Sequence, residues 1–166
     1  MTTQHATFAA GCFWGVEDEF KKVPGVLTTE VGYTGGATKN PTYDQVCSKD
    51  TAHAEAVHIT FDDKKVTYNQ LLDKFWDLHD PTTMNRQGPD VGSQYRSAIF
   101  THSDEQEKDA KRSMHKHQEV LGNEKSAKRI VTQIVPAPAP QFYRAEEYHQ
   151  CYLQKRGGKR FGFFGF

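Results

Sequence analysis

Between Phe8 and Phe20 the hydrophobic pattern changes period, and similar changes recur along the chain. Phe8 to Ala10 closes a short apolar run and Gly11 breaks it. Phe13, Val16 and Phe20 then recur at helical spacing until Pro24-Gly25, which places a helix start near Cys12. Val26 to Tyr33 reads as a second strand, before a turn at Thr34-Gly35-Gly36. Ala54 to Phe61 reads as a third strand, ended by Asp62-Asp63. Leu71, Leu72, Phe75 and Leu78 mark a helix opened by Thr67 and closed before Pro81. Tyr95 to Phe100 is expected to be a strand. Ser103 and Gln106 have the spacing of a capping box, ahead of a helix with Ala110, Met114 and Leu121 on one face. Ile130 to Val135 is predicted as the last strand and Arg144 to Gln154 as the last helix. Elements mixed in this way predict an α/β (α+β) fold, a two-layer sandwich with helices packed on a mixed β-sheet. Asp80 to Gln94 is predicted to be irregular, and so long a loop in a compact domain is often functional. Pro136 to Pro140 reads as an extended connector.

The 166 residues suit one domain spanning 1–166, with a loosely ordered tail over 157–166. Such a chain can bury a core without metal or disulfide staples. Lysine plus arginine equals aspartate plus glutamate at 21 each, which argues against nucleic acid or a membrane surface as a partner held by bulk charge. The three cysteines, Cys12, Cys47 and Cys151, are odd in number and lack CxxC spacing. They read as free thiols in a cytoplasmic protein rather than a secreted framework. Met1 to Ala10 has neither a basic region nor an apolar stretch, so no secretory signal is expected. His115 and His117 point in different directions on a helix, His53 and His58 lack companion ligands, and no metal is expected.

Three features carry chemistry. Cys12 lies at a strand-to-helix junction inside Gly11-Cys12-Phe13-Trp14-Gly15. Unpaired N–H groups and the positive end of the helix dipole favour a thiolate there, and Phe13 and Trp14 can line an apolar pocket beside the sulfur. From position alone, a buried core cysteine flanked by core aromatics is an equal reading. Glu55 shares a strand face with Val57, Ile59 and Phe61, because side chains alternate. Burial there would raise its pKa and keep it protonated near neutral pH, as a general acid requires. A position at the strand end reaching solvent is the other reading. Tyr43 and Tyr95 can donate hydrogen bonds to an oxygen but also suit packing, and Asp90 beside Gly88, Pro89 and Gly92 suits a turn.

Taken together these segments resemble the peptide methionine sulfoxide reductase A family. Gly11-Cys12-Phe13-Trp14-Gly15 looks like its nucleophile motif and Gly32-Tyr33-Thr34-Gly35-Gly36 like its glycine turn. His53-Ala54-Glu55-Ala56-Val57 resembles the acidic position. His79-Asp80-Pro81-Thr82-Thr83, Asn85-Arg86-Gln87-Gly88, Gln94-Tyr95-Arg96-Ser97 and Ala145 to Gln150 match further blocks in order. The resemblance implies reduction of the S epimer of methionine sulfoxide, free or in proteins, through a sulfenic acid on Cys12. It implies Glu55 as the acid, Tyr43 and Tyr95 as holders of the sulfoxide oxygen, Asp90 as a substrate contact, and Phe13 with Trp14 as a cage for the methyl group. No bound cofactor is implied. The external reductant would be thioredoxin, glutathione or glutaredoxin, with dithiothreitol serving in vitro, and a monomer is expected.

The sequence departs from the family in its tail, where Leu153 to Phe166 holds no recycling cysteine. The thiol that attacks the sulfenic acid is therefore expected at Cys151, which the predicted last helix carries. Cys47, read as a packing residue, and an external thiol are the alternatives. A thiol peroxidase using Cys12, and a module that only binds oxidised methionine, are competing readings. The Phe13-Trp14 pair counts against the first, and a requirement for Cys12 would exclude the second.

Overall fold

A computed structural model describes residues 2–48 and 51–156. The expected tail over 157–166 lies outside the described residues. Six strands form one mixed sheet in the order β7-β6-β1-β3-β2-β8. They are β1 (Thr3–Ala10), β2 (Val26–Thr34), β3 (Ala54–Asp62), β6 (Ser97–Phe100), β7 (Gln133–Val135) and β8 (Phe142–Arg144). All neighbours are antiparallel except β6 and β7. Helices α1 (Phe13–Lys21) and α3 (Tyr68–Asp77) pack on the sheet, and α4 (Asp104–Leu121) packs against α3. The short helices α2 (Tyr43–Ser48) and α5 (Tyr152–Lys155) complete the fold.

The period-two pattern sorts the core. Ala6, Phe8 and Ala10 of β1 and Val57, Ile59 and Phe61 of β3 belong to the main cluster with Phe20, Leu71, Leu72 and Phe75 from the helices. Ala9, Ala54 and Ala56 face the other way, into a smaller cluster with Ala98 and Phe100 that Val135, Ala139 and Phe142 cover. The alanines suit a face roofed by chain rather than by a helix. Gly32 permits this close approach, since a Cβ there would stand 2.3 Å from the Tyr143 carbonyl oxygen and 2.6 Å from the Phe142 ring.

The predicted elements change at five places. The complete capping box is on α3, where Thr67 and Gln70 exchange both bonds. At α4, Ser103 accepts from the Gln106 N–H, but the Gln106 side chain bonds His102 N–H and the His5 carbonyl instead. Tyr95 lies in a 3₁₀ turn over Ser93–Tyr95 rather than a strand, because β1 ends at Ala10 opposite Ser97 and offers no partner beyond it. The strand expected from Ile130 begins at Gln133: Ile130 and Val131 donate their N–H groups to Gln118 Oε1 and the Pro81 carbonyl.

The predicted helix from Arg144 to Gln154 is replaced by the end of β8, a 3₁₀ turn at Glu147–His149 and α5. Gln150 explains this. Its amide accepts from Val31 N–H at 2.9 Å and donates to the Val31 and Ala145 carbonyls at 2.9 and 3.0 Å. The side chain thus continues the β8 ladder and draws the chain to the sheet edge. Within Asp80 to Gln94, β4 (Arg86–Gln87) and β5 (Asp90–Val91) form a small hairpin. None of the helices in the described residues is long and apolar enough to cross a membrane.

Candidate active site

Gly11, at a φ of 95°, turns the chain from β1 into α1 in a conformation that favours glycine. A Cβ at that position would press on the Gln87 side chain at 2.9 Å. Cys12 therefore becomes the N-cap residue of α1. The helix has no side-chain cap and no acidic residue in its first turn. Its free N–H groups serve the site instead. Those of Trp14 and Gly15 bond the Cys12 sulfur, and that of Phe13 donates to Glu55 Oε1 at 3.2 Å.

Glu55 is 1% exposed. Burial pushes its carboxyl pKa up to about 8, Asp90 adds to the rise, and the Phe13 N–H opposes it. The acid is thus mainly protonated at neutral pH. Its second oxygen, Oε2, is buried without a hydrogen-bond partner. A buried polar atom left unsatisfied in a folded protein calls for an explanation, and a ligand oxygen supplies one here.

The Cys12 thiol does not rest as the thiolate that its helix position suggested. Burial and the negative charge of Glu55 push its pKa above the ordinary thiol range, with Asp90 adding, and the Trp14 and Gly15 N–H groups only partly offset them. The Glu55 contribution vanishes whenever that carboxyl holds its proton, so the two groups are electrostatically coupled.

Tyr43 opens α2, with its ring 6.5 Å from that of Phe13 and 4.5 Å from that of His149. Its N–H donates to Glu146 Oε2 at 2.9 Å, while the Tyr33 hydroxyl donates to Oε1 of the same carboxylate at 2.9 Å. Burial, with Glu55 as the next cause, raises the hydroxyl pKa values of Tyr43 and Tyr95. Both hydroxyls therefore stay protonated as donors. Asp90, on β5, acts electrostatically on Cys12, Glu55 and Tyr95.

The aromatic wall divides its labour. Phe13 is 1% exposed and packs on Tyr33 and His149. Trp14 is half-buried, stacks on Tyr152 at 3.9 Å, and donates its indole N–H to His149 Nδ1 at 2.9 Å. An indole only donates, so His149 must be the Nε2–H tautomer. Burial lowers its pKa and keeps it neutral.

The fold thus gathers Cys12, Phe13, Trp14, Tyr43, Glu55, Asp90 and Tyr95 around one site. It also gathers three residues that the sequence reading gave no role. Glu146 and His149 lie in the block Ala145 to Gln150, whose match to the family was the only signal for them. Gln87 exchanges bonds with both backbone groups of Asp80 beneath Gly11. Cys47, read as packing, is exposed one turn after Tyr43, and the Tyr43 and Tyr95 hydroxyls hydrogen-bond its sulfur. The contacts of Cys151 run to Glu17 on α1. Cys151 adopts a left-handed backbone before α5, and its N–H donates to Glu17 Oε1 at 2.8 Å, with Sγ 3.9 Å from Oε2. Among the described residues no group of three or more histidine, cysteine or acidic side chains is placed to hold a metal ion.

A family model described as peptide methionine sulfoxide reductase matches residues 4–162. Peptide methionine sulfoxide reductase MsrA of Geobacter sulfurreducens is 57% identical over 155 residues, which cover 93% of each chain. Methionine sulfoxide reductase A of Corynebacterium diphtheriae superposes with a TM-score of 0.88 at 38% identity, covering 96% of this chain and 78% of that one. Mxr1 from Saccharomyces cerevisiae, in complex with Trx2, superposes with a TM-score of 0.61 at 30% identity, covering 90% and 84%.

Proposed function

The chain belongs to the peptide methionine sulfoxide reductase family, and we propose that Cys12 and Glu55 are the two groups that perform its reaction. It is an oxidoreductase that returns methionine sulfoxide to methionine. The observation that carries the assignment is the buried, protonated Glu55, tied by Oε1 to the residue after Cys12 and unpartnered at Oε2.

A sulfoxide oxygen leaves sulfur only when protonated. Glu55 Oε2–H donates to that oxygen, and the Tyr43 and Tyr95 hydroxyls hold it from their side. Cys12 attacks the sulfoxide sulfur, its thiol proton replacing the one Glu55 gives up. The hydroxyl passes to the Cys12 sulfur, leaving methionine and a cysteine sulfenic acid. Atoms balance: thiol plus sulfoxide gives sulfenic acid plus thioether. With the oxygen held by Glu55 and the tyrosines and the methyl group against Phe13 and Trp14, the rest of the methionine must leave through the remaining direction. Fixing these directions selects one epimer, which we assign as S by family membership. Asp90 is assigned to the rest of the substrate by the family resemblance, and its electrostatic influence on Cys12, Glu55 and Tyr95 supports a place beside the site. The reductant is a thioredoxin-type dithiol, an assignment supported by the yeast Mxr1 structure with Trx2.

Cys12→Ser tests the nucleophile. The variant should form no methionine from either epimer in a single turnover with dithiothreitol, while wild type consumes one epimer. Single-turnover reduction by the variant would reject Cys12 as nucleophile. Activity of wild type on both epimers alike would reject the three-direction pocket.

A further inference from the structure

The reaction leaves the oxidising equivalent on Cys12, and a second thiol must remove it. Two other cysteines are present, and the structure separates them. Cys151 is bonded through its backbone to Glu17 on α1, and that carboxylate also receives the Thr29 hydroxyl at 2.7 Å. Glu17 lies one turn beyond Phe13, on the part of α1 leading away from Cys12.

Cys47 lies differently. On α2 it follows Tyr43 by four residues, which puts both side chains on one face of the helix. Its thiol is exposed, and the hydroxyls that bond it belong to Tyr43 and Tyr95. Tyr95 feels the charge of both Cys12 and Cys47, and Glu55 acts on both thiols. The geometric link between the two cysteines is Tyr43, whose ring lies 6.5 Å from that of Phe13, the residue after Cys12, and which Cys47 follows by one turn on α2. The unpartnered Glu55 Oε2 is buried, and the N–H of Phe13 holds the other oxygen of the same carboxyl.

Resting on the assignment of Cys12 above, we propose that Cys47 is the resolving thiol, attacking the Cys12 sulfenic acid from within the site. Tyrosines that held the substrate oxygen hold the same oxygen once it is the sulfenic hydroxyl, and the incoming Cys47 sulfur lies beside them. The S–S bond forms as the S–O bond breaks. The Cys47 thiol proton and the sulfenic hydroxyl leave as water, with Glu55 placed to protonate the leaving oxygen. No further oxidant is needed, since the sulfoxide has supplied it. A thioredoxin-type dithiol then gives two electrons to the Cys12–Cys47 disulfide, restoring both thiols and becoming a disulfide itself. Cys47 is on the exposed side of the pair, where such a protein can reach it.

The test is one turnover of the full chain with methionine sulfoxide and no reductant, followed by acid quench, thiol blocking and non-reducing peptide mapping. Expected are one methionine per chain, loss of two of the three free thiols, and a Cys12–Cys47 linked peptide. Cys47→Ser, which keeps a hydroxyl for the tyrosines, should still form one methionine but accumulate a dimedone-reactive Cys12. Its thioredoxin-supported turnover should fall about tenfold or more, because the reductant must then attack a sulfenic acid rather than a disulfide. Methionine formed with a Cys12–Cys151 link, or with Cys12 as sulfenic acid and Cys47 free, would overturn the proposal. Absence of methionine from wild type would instead reject the assignment of Cys12, and this proposal with it.

Discussion

Glu55 is costly to keep where it is, and the cost has a pH signature. Its folded pKa of about 8 lies above the ordinary 4.5, so the fold favours the protonated form. The associated stability is full below 4.5 and is lost as pH rises through about 8. Glu55→Gln keeps the shape and cannot ionise. At pH 9 it should be more stable than wild type by on the order of several kcal/mol in urea unfolding. The same variant should lose about 10²- to 10⁴-fold in single-turnover rate at neutral pH, the usual worth of general acid catalysis. The wild-type rate should decline as pH rises through 8, and the variant should show no such decline. An unchanged rate in the variant would remove Glu55 from the chemistry. The aromatic wall predicts a split. Trp14→Ala should raise KM more than it lowers kcat, by about tenfold for roughly 1–3 kcal/mol of lost apolar contact. Phe13→Ala, from a fully buried position, should in addition cost about 3–5 kcal/mol of stability. An equal loss of stability in the two variants would refute that division. Strand parity allowed a buried Glu55 and the junction after Gly11 an activated Cys12, but each also allowed a plainer reading, and only the family resemblance chose between them. Cys12's resting protonation and Trp14's bond to His149 were not legible, because each depends on a residue distant in sequence that no local pattern encodes.

At the scale of elements, α1 contrasts with its neighbours. Helix α3 has a full capping box, and α4 has Ser103 at its N-cap with Asp104, Glu105 and Glu107 in its first turn. Helix α1 has neither device and keeps its N-terminal donors for a thiol and a buried acid. The helices and central strands could be read from hydrophobic period because each buries a repeating face. The C-terminal segment could not. Its course is set by Gln150, whose amide bonds backbone groups 119 residues away, and helical spacing in the sequence gave no hint of that. Gln150→Leu should therefore be severe. It strands the Val31 N–H in the interior, and loss of a buried partner costs about 1–3 kcal/mol for each group left unpaired. Because this segment also carries Glu146 and His149, kcat should fall along with stability. A variant of wild-type stability and activity would show that the amide does not hold the segment.

Across the whole molecule, His79 joins elements on both sides of the long loop. Its Nδ1–H donates to the Phe75 carbonyl at 2.7 Å, so Nε2 accepts from Ser97, whose oxygen also meets Thr132 at 2.7 Å. Burial lowers the His79 pKa from 6.5 to about 4. A depressed histidine contributes stability that is full above 6.5 and is lost as pH falls to about 4, here about 3 kcal/mol. Urea midpoints should fall across that window, and His79→Gln should flatten the dependence. An identical slope in the variant would assign the acid sensitivity elsewhere. The bonds that arm Cys12's surroundings span 42 residues from Phe13 to Glu55, 103 from Tyr43 to Glu146, and 135 from Trp14 to His149. A protein that draws its reactivity from such distant parts behaves like a machine with an interlock. When the fold loosens, Glu55, Tyr43 and His149 lose their places around the sulfur, and what remains is an ordinary thiol with no special appetite for oxygen.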